Sequence, residues 1–363
     1  MRAAAGAWLV SRRFDLWAFT APAVLALLLV PLAAATAGEV PLWAWAVAVL
    51  GVDVAHVWST VYRTYLDPAE LRRRPLLYAG APVVAYALGV SLASVSSDVF
   101  WRVLAYIAVF HFVRQQYGWV RLYGRRDAGL GAWDRRLDAL TIYATTVYPL
   151  LWWHAHLPRR FDWFVPGDFV AGLPEAVATA LGPVYLALLA LFAARQVQRG
   201  LRERFVPWGK VLMVATTAAC WGVGIILTES DWAFTMTNVI VHGVPYVAFV
   251  WLYGRRAYGG DEAPRLLGWL FQGRRWLVFL LALVAVAYGE EYLWDRSLWH
   301  ERGALFVGPK WAWPDAWVVW WMPLLAVPQL THYLLDGFIW RAREAKNPEF
   351  QRVMAPLLGR KAS

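Results

Sequence analysis

The chain has 363 residues, 60% of them hydrophobic and 17% charged, with a mean hydropathy of +0.42. That balance excludes an ordinary soluble globule, in which about a quarter of residues are charged. The single cysteine, Cys220, excludes an intramolecular disulfide and a thiolate metal cluster, and the net charge of +10 is an arginine and lysine excess of the kind found in cytoplasmic loops, so it does not imply nucleic acid.

Apolar runs of about 20 residues, enough to cross a bilayer core, recur along the whole length. They predict an all-α fold: a polytopic membrane helical bundle forming a single integral membrane domain over 1–363, with about ten transmembrane helices. In chain order the spans are 15–37, 41–65, 76–95, 98–123, 138–157, 173–194, 209–228, 231–254, 276–294 and 316–340. The first follows Arg12 and Arg13 and reaches Ala35-Thr36-Ala37. It reads as a signal peptide or a retained anchor, and its length favours the anchor.

The loops then alternate in charge. Of the 35 basic residues, 28 fall in one set of loops; the opposite set holds Arg159, Arg160, Arg296, Arg302 and Lys310, and Arg102 and Arg114 lie inside spans. The asymmetry places both termini in the cytoplasm and predicts a multi-pass protein of a plasma or inner membrane.

Four histidines, His56, His111, His242 and His332, lie on the second, fourth, eighth and tenth spans. They precede Arg63, Arg121, Arg255 and Arg341 by 7, 10, 13 and 9 residues. At 1.5 Å per residue all four sit roughly 10–20 Å above the cytoplasmic boundary. Ionisable side chains at membrane depth are costly and mark function by default. Four at matched depth point to one shared metal site, since neutral imidazole is the commonest metal ligand. A haem or a proton relay is the other functional reading, and a hydrogen bond to a neighbouring helix the structural one.

Polar companions sit one helical turn away. Asp53 is three residues before His56 and Asp336 four after His332. Gln115 follows His111 by four, Asn238 precedes His242 by four, and Gln329 precedes His332 by three. Residues at these spacings share a helix face, so they can hold the second nitrogen of a ligating imidazole. Asp53 and Asp336 can equally be ligands themselves. Arg114, three residues after His111, reads as a buried charge that balances Asp53 or Asp336 or holds an anionic substrate group; snorkelling to the interface is its alternative. Tyr62, Tyr117 and Tyr246 read as interfacial or packing residues, with hydrogen bonding near the site as their functional reading; His154, His156 and His300 read as interfacial, and Glu290 and Glu291 as facing water at the outer surface.

One internal echo stands out. WVRLYGRR at 119–126 matches FVWLYGRR at 249–256, each preceded by one of the four histidines. Duplication or chance among aromatic-basic helix ends accounts for it. No P-loop, GxGxxG, GxSxG or HExxH motif is present.

The constellation of His56, His111, His242 (followed by Gly243) and His332 resembles the membrane-embedded histidine-ligated iron oxygenases, and among them the Brp/Blh-type carotene dioxygenases. The family's HG-x-x-D pattern is not carried through, because Val244, Pro245 and Tyr246 follow Gly243. The resemblance implies a four-histidine Fe2+ site and O2-dependent oxidation of an isoprenoid or acyl lipid, with Asp53, Arg114 and Asp336 assisting. Zn2+ activating water and haem are the alternative cofactors. The implied partners are membrane lipids, an apolar small-molecule substrate and an electron donor. A transporter or haem-binding electron-transfer protein is the non-enzymatic reading, and Pro245, Pro323 and Pro328 would supply its broken helices.

Overall fold

The structure, a computed structural model, describes residues 6–127, 129–260, 263–341 and 348–355. Among them there are helices and no strands. Thirteen helical segments follow in order: α1 (Arg12–Thr36), α2 (Leu42–Arg63), α3 (Pro68–Arg73), α4 (Pro75–Ala93), α5 (Ser97–Arg126), α6 (Ala132–Ala155), α7 (Glu175–Arg202), α8 (Trp208–Leu227), α9 (Asp231–Ala257), α10 (Arg265–Phe271), α11 (Trp276–Trp299), α12 (Asp315–Ile339) and α13 (Pro348–Met354). Eight of them, α1, α2, α4, α7, α8, α9, α11 and α12, are long and apolar enough to cross a membrane. The 30-residue α5 and the 24-residue α6 have the length but carry more charge.

Contacts divide the chain into two units. One comprises residues up to Val40 with Ala108–Val244, and the other Pro41–Ile107 with Pro245–Met354. Helices α5 and α9 each pass from one unit into the other.

In the first unit, Ser11 caps α1 by accepting the Phe14 N–H, and Asp15 accepts from Leu9 and Val10, so the entry turn leaves few donors unpaired. The helix stops where Ala37 and Gly38 take positive φ values. Gly38 presents its carbonyl to the Trp232 N–H and the Ser230 hydroxyl, which fixes the start of α9. Helices α6, α7 and α8 pack together around buried ion pairs. Arg199 holds Asp127 through two bonds of 2.5 and 2.8 Å, Arg195 holds Asp134, and Lys210 reaches Asp138 at 2.7 Å. These pairs explain why α7 runs to Arg202 and α6 starts at Ala132, beyond the apolar limits of 194 and 138. Arg195, Arg199, Asp134 and Asp138 each find a partner there, so the helices continue where hydropathy ends.

In the second unit, α4 packs on both halves of α12, and α11 on α2. Asp67 caps α3 by accepting from Ala69 and Glu70. Glu70 then receives the Tyr78 hydroxyl and the Arg73 guanidinium, with Arg63 Nη1 3.3 Å from its other oxygen. Two irregularities bear on function. Residues Ala46–Val54 of α2 are wound as a π-helix, a form concentrated at functional sites, and this stretch carries Asp53. Helix α12 is interrupted at Ala326, because Pro328 has no N–H to donate back up the helix. By contrast α9 stays helical through Pro245.

Candidate metal centre

The share of each span buried inside the protein singles out α9. Its apolar window is 72% buried, against 11% for the peripheral α7. It carries His242 and, one turn on, Tyr246.

In the first unit, His111 of α5 and His242 of α9 face one another with ring centroids 5.0 Å apart and planes at 81°. Phe112 lies flat on His242, centroids 3.5 Å apart and 10° from parallel, and Trp163 meets the edge of Phe112 at 5.0 Å. Asn238 is buried one turn before His242, its amide N–H2 bound to the Phe234 carbonyl at 3.0 Å. Its Oδ1 is buried with no hydrogen-bond partner, as are both amide atoms of Gln115. Thr237 needs Gly224 opposite: a Cβ there would sit 1.9 Å from its hydroxyl, so only glycine lets α8 approach α9 this closely.

In the second unit, His56 of α2 and His332 of α12 form the matching pair, with centroids 4.9 Å apart and planes at 82°. Asp53 Oδ1 lies 3.6 Å from His56 Nδ1. His332 Nδ1 lies 2.6 Å from Thr60 Oγ1, which is 2.9 Å from the Tyr246 hydroxyl. Tyr246 donates to Asp336 at 2.6 Å, and the Trp340 indole N–H reaches both at 3.1 Å. Direct approach of Asp336 to His332 is longer, 3.9 Å.

All four histidines are buried, between 0% and 6% exposed. Each offers one ligand atom, and the four atoms lie within 4.8 Å of one another. Nitrogens bound to one ion at about 2.0–2.1 Å would be roughly 3–4 Å apart. The buried four-histidine group can hold a metal ion.

The other sequence candidates are dispersed. Arg114 is exposed rather than buried; its guanidinium donates to the Tyr143 hydroxyl and lies 4.9 Å over the Tyr117 ring. The helical phase of α5 turns it outward although its depth matches the histidines. Gln329 donates to Tyr333 at 2.8 Å. Glu290 is partly buried and accepts the Trp58 indole N–H at 2.5 Å, so the reading of it as a freely hydrated side chain is corrected. His154 and His156 bond carbonyls one turn back in α6, and Tyr62 packs on Phe271 and Phe279.

Thr60 is not among the sequence candidates, and Tyr246 is there as a packing residue with hydrogen bonding near the site as its other reading. The signal was present: each of the four histidines has a polar residue four positions later, namely Thr60, Gln115, Tyr246 and Asp336. That spacing stacks a polar layer one turn from each imidazole. Phe112 and Trp340 had no such signal.

No protein-family model matches this chain. No curated protein and no solved structure matches it either.

Proposed function

We propose that the chain is a non-haem iron oxidoreductase of a plasma or inner membrane, with about ten spans and both termini cytoplasmic. Its metal ligands are His56, His111, His242 and His332, and it uses O2 to oxidise an apolar lipid or isoprenoid. The observation that carries this reading is the group of four buried imidazoles with ligand atoms within 4.8 Å, in a chain with eight helices fit to cross a membrane.

Four converging histidines favour a bare ion over haem, because a porphyrin already fills four iron positions and leaves room for two protein ligands at most. Iron supplies redox chemistry with O2 that redox-inert zinc lacks. The chain's own contribution is placement. The imidazoles act as neutral ligands, the Thr60–Tyr246–Asp336 group holds His332, Asp53 stands 3.6 Å from His56, and Phe112 fixes the plane of His242. Asp53 and Asp336 balance a divalent charge, so the exposed Arg114 is not needed at the centre. Burial keeps bulk water from the ion, and the surrounding bilayer delivers an apolar substrate. An electron donor is required for hydroxylation or desaturation but not for dioxygenation. The transporter reading calls for paired broken helices, whereas α12 is interrupted and α9 is continuous.

Elemental analysis of detergent-purified protein tests the proposal, together with O2 uptake on apolar lipid extracts. The expected result is about one iron per chain, lost when any of the four histidines becomes alanine, and product formation that stops without O2. Stoichiometric zinc with O2-independent turnover would replace oxidation by hydrolysis. A Soret band would replace the bare ion by haem.

A further inference from the structure

We propose that Tyr246 is a positioning residue: through Thr60 it fixes His332 as the tautomer protonated on Nδ1, leaving Nε2 bare to face the metal. The metal half of this statement rests on the reading above; the tautomer half does not.

The argument is a count of protons. The Trp340 indole can only donate, and it reaches Asp336 Oδ1 and the Tyr246 oxygen, both at 3.1 Å. As a carboxylate Asp336 can only accept, and its Oδ1 receives the single phenolic proton of Tyr246 at 2.6 Å. The Tyr246 oxygen then has only lone pairs to offer Thr60, 2.9 Å away. Thr60 must spend its one hydroxyl proton on Tyr246. What remains on Thr60 toward His332 Nδ1, at 2.6 Å, is a lone pair, so the ring nitrogen must bring the proton. The chain runs in one direction: His332 Nδ1–H to Thr60, Thr60 to Tyr246, Tyr246 to Asp336.

Burial makes the order hold. Thr60 is 3% exposed, Tyr246 2% and His332 1%, so water does not compete for these protons. The residues also come from three helices, α2, α9 and α12, each with the polar residue four positions beyond its histidine. Asp336 thus acts on His332 through two intervening hydroxyls rather than across the 3.9 Å direct gap.

Removing the phenol reverses the chain. In Tyr246→Phe the Thr60 proton loses its acceptor and turns to Nδ1, which favours the tautomer protonated on Nε2. That nitrogen then meets the metal with a hydrogen in place of a lone pair.

Two readouts separate the parts. Nitrogen-15 NMR of histidine-labelled, metal-free protein in detergent reports which ring nitrogen carries hydrogen, with the His332 signal assigned by its loss in His332→Gln. Wild type and Thr60→Ser, which keeps the hydroxyl, should show Nδ1 protonated. Tyr246→Phe should shift protonation to Nε2. Thr60→Val, lacking any hydroxyl, should give a mixture. Titration with Co2+, followed by its visible absorption, should show affinity lowered roughly 10–100-fold in Tyr246→Phe and near wild type in Thr60→Ser. Size-exclusion profiles guard against misfolded variants, and Thr60→Val supplies a second break if Tyr246→Phe is unstable. A bare Nδ1 in wild type, or an unchanged tautomer in both Tyr246→Phe and Thr60→Val, overturns the inference. Correct tautomers with no Co2+ bound would leave the chain of hydrogen bonds standing and remove the metal reading instead.

Discussion

Phe112 lies face to face with His242 at a centroid distance of 3.5 Å, although the two residues come from different helices. The flat contact leaves the imidazole little freedom to rotate about its own bond, so on the proposed reading its nitrogen is aimed before any ion arrives. Phe112→Leu should keep the fold and lower metal affinity roughly tenfold, within the range for lost support of a ligand. Phe112→Ala should also cost about 3–5 kcal/mol of stability through the cavity it leaves. Metal titration and thermal unfolding in detergent measure the two effects, and wild-type affinity in Phe112→Leu would show that the stack only fills space.

Asp53 approaches His56 Nδ1 at 3.6 Å from the π-wound turn that precedes it. As a support, its change to Asn should leave the metal in place at saturation and weaken affinity or activity by roughly 10–100-fold. As a ligand, the same change would empty the site. Metal content at high and limiting metal concentrations distinguishes the two, and a variant identical to wild type in both would remove Asp53 from the centre.

The Lys210–Asp138 pair lies 2.7 Å apart and both members are nearly fully buried. Breaking a buried pair from one side strands a charge. Asp138→Leu should therefore cost about 3–5 kcal/mol, while Asp138→Leu with Lys210→Met should recover most of it. A double-mutant cycle on detergent unfolding gives the coupling. Additive losses would mean that the two charges do not depend on each other.

Glu70 gives a pH dependence outside the membrane spans. Burial alone raises its carboxyl, but Arg63, the Tyr78 hydroxyl and Arg73 outweigh that and hold it below the usual carboxylate range. A depressed folded value means stability fully present above the unfolded value of about 4.3 and lost as pH falls toward the folded one. Wild type should be more stable than Glu70→Gln at pH 7, with the difference shrinking below about pH 4. A constant difference down to pH 3 would rule out this linkage.

Topology is open to direct measurement. Reporter fusions in 67–75, 125–137 and 255–275 should all report the cytoplasmic side, because the basic residues concentrate there. A periplasmic signal from any of the three would break the common direction of the four histidine-bearing helices.

The sequence by itself determined the helices and the spacing of each histidine along its own helix. Both follow from one-dimensional quantities: the length of an apolar run and the 1.5 Å rise per residue. Helix ends were legible only where hydropathy and hydrogen bonding stop together. At Arg195 and Arg199 they do not, since carboxylates from elsewhere in the fold let α7 continue. Rotation about the helix axis was decided by tertiary structure. Each residue turns the helix by about 100°, so small irregularities such as the π-wound Ala46–Val54 or the break at Ala326 change which side chain faces inward. Depth alone puts Arg114 beside the histidines and leaves Tyr246 open between packing and hydrogen bonding near the site. Packing turned Arg114 outward to Tyr143 and brought Tyr246 between Thr60, Asp336 and Trp340, because a phenol and two hydrogen-bonding neighbours can be buried together more cheaply than a guanidinium that lacks a carboxylate.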